Sequence, residues 1–174
     1  MADFESLITR AESVLKKLEA MLPEQVTSPD WSAIAWRWQH ANGRGYLQAV
    51  GHPHQIKLQD LHHLDEQKDE IVRNTKQFVH KLPANNVLLT GARGTGKSSL
   101  VKALLSEFSK DGLRLIEVDK QDLVALPEIV ELIRSRPERF VVFCDDLSFE
   151  SGEPGYKALK VVLDGSLAST SENV

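Results

Sequence analysis

One glycine-rich segment restricts the fold of this chain more than any other feature. Residues 91–98 read GARGTGKS and match the pattern G-x-x-x-x-G-K-[ST] at every defined position. The apolar run VLLT precedes this loop, and a helical spacing of apolar residues follows it, at Leu100, Val101, Leu104, Leu105 and Phe108. A strand, a loop and a helix in this order predict an α/β fold with a phosphate-binding turn.

The chemistry of the loop accounts for its residue types. Glycines at positions 91, 94 and 96 permit a backbone path whose N–H groups converge on an anion. The helix that begins at Lys97 adds unpaired N–H groups and the positive end of its dipole. We predict that Lys97 contacts the β- and γ-phosphates of a nucleotide and that the Ser98 hydroxyl ligates Mg²⁺. The predicted nucleotide contacts are Gly91, Ala92, Arg93, Gly94, Thr95, Gly96, Lys97, Ser98 and Ser99. For Arg93, exposure at the loop tip is the alternative to a phosphate or subunit contact.

Two adjacent carboxylates follow a second apolar run, in the segment RFVVFCDD. The carboxyl ends of parallel strands meet at one edge of a sheet, so this pair should lie near the loop. We predict that Asp145 binds Mg²⁺ and that Asp146 orients the attacking water. A solvated turn is the alternative. Glu150 is interpreted as a surface residue and Cys144 as a packing residue. The chain has no N-K-x-D motif of the kind that reads guanine, so the pattern favours an ATPase.

The remaining pattern predicts alternating strands and helices. Expected strands are 87–90, 113–119 and 139–146, with a hairpin near 33–50 that turns at Asn42-Gly43. Helices are expected at 3–22, from Asp65 to about residue 82, after the loop, from Pro127, and from Pro154 to Gly165. We divide the chain into residues 1–60, a helix with a tryptophan-containing hairpin, and residues 61–174, the nucleotide-binding part. The helical crossovers predict a parallel sheet with helices on both faces.

Composition excludes several classes of protein. The formal net charge of −4 provides no overall attraction for nucleic acid. No apolar stretch approaches the roughly 20 residues that span a bilayer, and the first residues do not form a secretory signal. With a single cysteine, these features predict a cytoplasmic protein without a membrane partner. Six histidines lack the spacing of a metal site. Trp31, Trp36 and Trp38 favour a hairpin core, with a base-stacking platform as the alternative.

The motifs together resemble the AAA+ superfamily of ATPases. GARGTGKSS resembles the Walker A element, VVFCDDLSF the Walker B element, and LDEQKDEIVRNTKQF the helix that borders the adenine pocket. Four longer segments resemble a bacterial family of ATP-binding proteins of unknown function within AAA+: PANNVLLTGARGTGKSSLVKALL, GLRLIEVDK, RFVVFCDDLSFE and GYKALKVVLDGSL. The resemblance assigns Lys97, Ser98 and Asp145 to nucleotide and magnesium binding and residues 61–64, with Leu64, to the adenine. It implies a P-loop, three-layer parallel sheet.

The chain departs from the AAA+ pattern in two respects. Asp146 stands where a glutamate is more usual, which implies a shorter reach and slower hydrolysis. The superfamily orders five parallel strands 5-1-4-3-2, and the sequence ends where the fourth would start. We therefore expect a C-terminally truncated, incomplete domain that lacks the arginine finger, the sensor residues and the lid. On its own, such a chain is expected to hydrolyse ATP weakly or not at all. An arginine supplied by a neighbouring subunit raises the hydrolysis rate by a factor of about 10³ to 10⁵ in well-studied phosphoryl-transfer enzymes.

Three functions follow as hypotheses. The first is a homo-oligomeric ATPase that, at full length, uses ATP and Mg²⁺ for conformational work on a protein or nucleic-acid partner. The second is an ATP-gated adaptor or loader whose residues 1–60 bind a protein partner. The third, least supported by the charge, is single-stranded nucleic-acid binding through Trp36, Trp38 and nearby arginines.

Overall fold

The computed structural model describes residues 2–21, 28–41, 43–148, 154–163 and 172–174. The helices and strands are α1 (Ala2–Met21), β1 (Ala35–Ala41), β2 (Arg44–Ala49), α2 (Asp65–Val79), α3 (Lys97–Phe108), β3 (Leu113–Glu117), α4 (Leu126–Ile133), β4 (Arg139–Phe143) and α5 (Pro154–Leu163). Short 3₁₀ turns at Leu58–Asp60, Ser109–Asp111 and Lys120–Ala125 connect them. The α/β class predicted from the sequence is confirmed.

Four strands form one mostly parallel sheet in the order β2-β1-β3-β4. β1 and β2 are the expected hairpin, and the pair Ala41–Arg44 closes it. β1 also runs parallel to β3, with Ala35 opposite Leu115, and β3 runs parallel to β4. The hairpin from residues 1–60 and the strands from residues 61–174 therefore share a single sheet.

Helices cover both faces of this sheet, because alternate residues of each strand point to opposite sides. On one face, Trp36, Trp38, Ile116 and Phe140 pack with residues of α4, including Ile129. On the other face, the buried residues come from α2, α3 and the strands: Ile71, Leu100, Leu104, Phe108 and Leu113 in one cluster, and Ala35, Val101, Leu105 and Leu115 in the next.

The hairpin tryptophans belong to the core. Trp36 and Trp38 are each 1% exposed, and the Trp36 ring lies 6.1 Å from that of Phe140. The Trp38 ring covers Gly45 so closely that a Cβ there would lie 1.9 Å from the ring. The core interpretation is therefore confirmed. The stacking-platform alternative is wrong for Trp36 and Trp38, because neither ring is accessible to a base.

The strand predicted at residues 87–90 is not formed. This segment has no regular secondary structure and pairs with none of the four strands of the sheet. Val87 and Leu88 are 50% and 75% exposed, while Leu89 packs partly against the apolar clusters beside Val141. An apolar run becomes a strand only where a neighbouring strand pairs with its N–H and C=O groups, and no strand of the described ranges does so here.

The other elements follow the sequence closely. α1, α2, α3, α4 and the strands β3 and β4 lie within a few residues of their predicted bounds, although β3 and β4 end earlier, at Glu117 and Phe143. α5 begins at Pro154 as predicted. Across the described part of the chain, no helix combines the length and apolar character that a membrane span requires.

Candidate functional site

The glycine-rich loop adopts a backbone path that side chains would oppose. Gly91, Gly94 and Gly96 all have positive φ, at 143°, 83° and 87°. Position 96 is restricted twice, because a Cβ there would be strained by φ and would also lie 3.3 Å from Leu64 Cδ1. The sequence prediction that glycine is needed in this loop is thus supported by its dihedral angles.

The start of α3 faces this loop with free backbone donors. The first helical bond runs from Leu100 N–H to the Gly96 carbonyl, at 2.8 Å, and within the described part of the chain no side chain caps the start of the helix. The N–H groups of residues 97–99 therefore have no partner within the helix. Together with the helix dipole, they form a favourable environment for an anion.

Lys97 lies across the loop. Its Nζ donates to the carbonyl oxygens of Gly91, at 3.0 Å, and Ala92, at 2.8 Å. The Thr95 hydroxyl donates to the Ala92 carbonyl at 2.9 Å and closes the loop on itself. The ammonium group is therefore held within the loop by two of the loop's own carbonyl oxygens.

The structure brings the predicted magnesium ligands together. Ser98 Oγ donates to Asp145 Oδ2 at 2.6 Å, although the two residues are 47 positions apart. Asp145 is positioned just beyond the end of β4, and its Oδ1 accepts the backbone N–H of Asp146 at 3.0 Å. A hydroxyl and a carboxylate held side by side supply the hard oxygen ligands that Mg²⁺ prefers.

Asp146 is held in an uncommon backbone conformation. Its φ is 50°, in the left-handed region that Asp and Asn tolerate better than most residues. Its side chain is exposed and adjoins Asp145. Positive φ also occurs at His63 and Lys81, and at Asp146 it falls on the carboxylate predicted to orient water.

The other predicted contacts surround the loop. Leu64 lies against Gly96, and Ser99 is partly buried in the first turn of α3. Leu61 packs on the cluster formed by α2 and α3, and its carbonyl accepts a hydrogen bond from Lys68 Nζ at 3.2 Å. Arg93 is exposed at the loop tip. Glu150 lies outside the described residues.

Cys144 is partly buried beside these carboxylates. Burial, and then the negative charges of Asp119 and Asp145, raise the pKa of its thiol from 9.0 to about 11. The thiol is therefore protonated at neutral pH and poorly nucleophilic, in agreement with a packing role.

Asp119 is a neighbour of the site that the sequence interpretation missed. It follows β3, and its charge acts on Cys144, so it lies near the Asp145 end of the sheet. The sequence does contain a signal for Asp119, because this acid comes directly after the predicted strand segment LRLIEV, just as Asp145 follows β4.

Comparison with known proteins gives one match. The model of the family described as "Protein of unknown function (DUF815)" matches residues 31–174. Neither the curated proteins nor the solved structures contain a significant match. The matched region includes the whole sheet, the glycine-rich loop and both carboxylates, and the chain belongs to this DUF815 family.

Proposed function

We propose that this protein binds ATP with Mg²⁺ through a P-loop of the AAA+ type. The observation that carries the proposal is the 2.6 Å contact between Ser98 and Asp145, beside a lysine that lies over the loop. A phosphate-binding loop alone binds many anions. Here Ser98 supplies a hydroxyl at the start of α3, and Asp145 supplies a carboxylate just beyond β4. This pair of oxygen ligands favours a nucleotide that is bound together with its metal ion.

Each residue of the site has a role in this proposal. Lys97 exchanges its two loop carbonyls for the β- and γ-phosphate oxygens, and the N–H groups of residues 97–99 bind the same phosphates. Ser98 and Asp145 hold Mg²⁺, which neutralises phosphate charge when bound. Leu64 packs beside the loop, where the adenine is expected. Asp146 orients a water molecule for attack on the γ-phosphate.

The sheet is compatible with this assignment. β3 and β4 are parallel neighbours, as the second and third strands are in the AAA+ order, and β1 extends the sheet beyond β3. We propose further that the protein is a cytoplasmic homo-oligomer whose ATP hydrolysis drives conformational work on a protein or nucleic-acid partner.

Calorimetric titration with MgATP tests the proposal. Replacing Lys97 with Ala removes the phosphate cation and is expected to weaken binding by at least tenfold. The exposed Lys110, at the other end of α3, supplies the control, because Lys110→Ala should leave the affinity unchanged. Tight MgATP binding by Lys97→Ala would contradict the proposed site.

An ATP-gated adaptor is the second candidate, and α1 is the observation that favours it. Leu7, Ile8, Val14 and Leu15 are large apolar side chains that remain 45–65% exposed along this helix. An exposed apolar stripe of this kind is typical of a partner-binding surface. The double change Leu7→Glu and Leu15→Glu should abolish partner capture and preserve MgATP affinity, while loss of both would refute a separate adaptor surface.

A further inference from the structure

A basic cavity lies at the opposite end of the sheet from the phosphate loop. It has a volume of about 360 Å³ and is lined by Lys81, Arg134, Arg136, Arg139, Glu172 and Asn173. Arg139 is the first residue of β4, whereas Asp145 lies beyond the last. The cavity therefore borders the amino end of β4, and the candidate nucleotide site borders its carboxyl end.

Arg139 is the unusual residue of this cavity. It is only 8% exposed, and its guanidinium lies 5.3 Å from the centre of the Phe78 ring. One terminal nitrogen donates to the backbone carbonyl of Glu172, but the buried Nε has no hydrogen-bond partner among the residues that the structure describes. Buried donors almost always have partners, and an unmade bond to a charged donor is costly. This nitrogen is shielded from solvent, as is the unpaired Nε of Arg114, so an outside acceptor has to bind the terminal nitrogens of Arg139 instead.

The walls of the cavity are built from specific contacts. Asn173 is buried, and its Nδ2 donates to the carbonyls of Ile133, at 2.8 Å, and Arg136, at 3.1 Å. Its own carbonyl accepts the N–H of Phe140 at 2.7 Å. The Arg136 guanidinium lies 4.6 Å from the centre of the Trp31 ring. These contacts order the segment between α4 and β4 before any ligand arrives.

The charge of the cavity is incompletely balanced. Arg134 pairs with Glu131 at 3.1 Å and Arg136 pairs with Glu138 at 2.7 Å. Lys81 and Arg139 form no ion pair within the described part of the chain, although Glu172 also lines the cavity. Lys81 and Arg139 each carry a positive charge and Glu172 carries a negative one, so these three lining groups leave one net positive charge that favours an anion.

We propose that this cavity is a second anion site that binds a small, soluble, phosphate-bearing compound through Lys81 and Arg139. Its volume of about 360 Å³ lies within the range of small-molecule pockets. Arginine presents planar donors that suit phosphate oxygens. The site is separate from the loop at residues 91–98, and the inference does not depend on ATP binding there.

Titration with inorganic pyrophosphate tests this second site, with Lys97→Ala protein as the starting point so that the loop contributes little. Lys97→Ala should still bind pyrophosphate, and adding Lys81→Ala should weaken that binding by at least tenfold. Arg44 is an exposed cation on the hairpin at the far side of the sheet, so Arg44→Ala is the matched control. Circular dichroism and thermal unfolding check that each variant is folded.

Three results would overturn the proposal. The first is absence of pyrophosphate binding by folded Lys97→Ala protein, and the second is unchanged binding after Lys81→Ala. The third comes from a parallel titration with a thymidine 20-mer. If Lys81 were needed for the oligonucleotide and pyrophosphate did not bind, the cavity would be assigned to a nucleic-acid backbone instead.

Discussion

Ser98 Oγ and Asp145 Oδ2 are 2.6 Å apart, so the first turn of α3 is joined to the residue that follows Cys144 at the end of β4. This bond connects the glycine-rich loop to the central sheet. It also places one neutral and one charged oxygen where a single cation can contact both. The relationship leads directly to a prediction about metal dependence.

Asp145→Asn should weaken MgATP binding by about tenfold, or about 1.4 kcal/mol, because a neutral amide binds Mg²⁺ less well than a carboxylate. Affinity for ATP in excess EDTA should not fall, since the lost charge repelled the triphosphate. Calorimetry with and without metal measures both values. Asp111→Asn, at an exposed acid after α3, is the control. An equal loss in both conditions would contradict a magnesium role.

Asp146→Asn should retain MgATP affinity within about twofold and remove any ATP hydrolysis. Asparagine tolerates the left-handed backbone of this position, where φ is 50°, so the change removes the charge without new strain. Phosphate release at saturating MgATP measures turnover. Asp146→Gly should relieve backbone strain and raise the free energy of unfolding by about 1 kcal/mol. If either Asp146 variant hydrolyses ATP at the original rate, Asp146 is excluded as the water-orienting group.

Gly96→Ala should reduce both stability and nucleotide affinity. The substitution places a side chain at φ 87° and 3.3 Å from Leu64 Cδ1, and residues forced into such a conformation cost about 1–3 kcal/mol. Thermal unfolding and MgATP titration provide the two measurements. Gly51 lies in open space without positive φ, so Gly51→Ala should be neutral in both. Normal binding by Gly96→Ala would show that the loop accommodates a different path.

The Cys144 thiol should react slowly with iodoacetamide at pH 7 to 8 and faster as the pH approaches 11. Its pKa is about 11 in the folded protein against 9.0 for an ordinary thiol. Because the folded state keeps this proton when the unfolded state has lost it, stability should decline as the pH rises from about 9 to 11. Cys144→Ser should reduce that decline. Fast alkylation of Cys144 in the native protein at pH 7 would contradict the raised pKa of its thiol.

The local elements of this structure could be predicted from the sequence. Helical spacing located α1, α2 and α3, and the Asn42-Gly43 pair located the hairpin, since both depend on neighbouring residues. The pattern also placed Lys97, Ser98 and Asp145 at one site, because carboxyl ends of parallel strands meet at one edge. Leu64 entered through family resemblance, and the structure places it against Gly96.

The pairing of strands that lie far apart in the sequence could not be predicted in the same way. Residues 87–90 have the composition of a buried strand, but composition does not specify a partner, and none of the four sheet strands pairs with them. The pairing of β1 with β3 joins residues that are 80 positions apart, as the Arg37–Glu117 hydrogen bonds show. The basic cavity likewise collects residues from three separate stretches of chain, so no local motif indicates it.

The pairing of β1 with β3 has a consequence for synthesis on the ribosome. The hairpin leaves the ribosome early, but Trp36 cannot complete its packing until Ile116 and Phe140 have also been made. Until then, two large aromatic rings and one strand edge remain exposed, which is the condition under which nascent chains aggregate. The hairpin is therefore made before the strands that stabilise it, and the interval before β3 and β4 emerge is when the chain most needs protection.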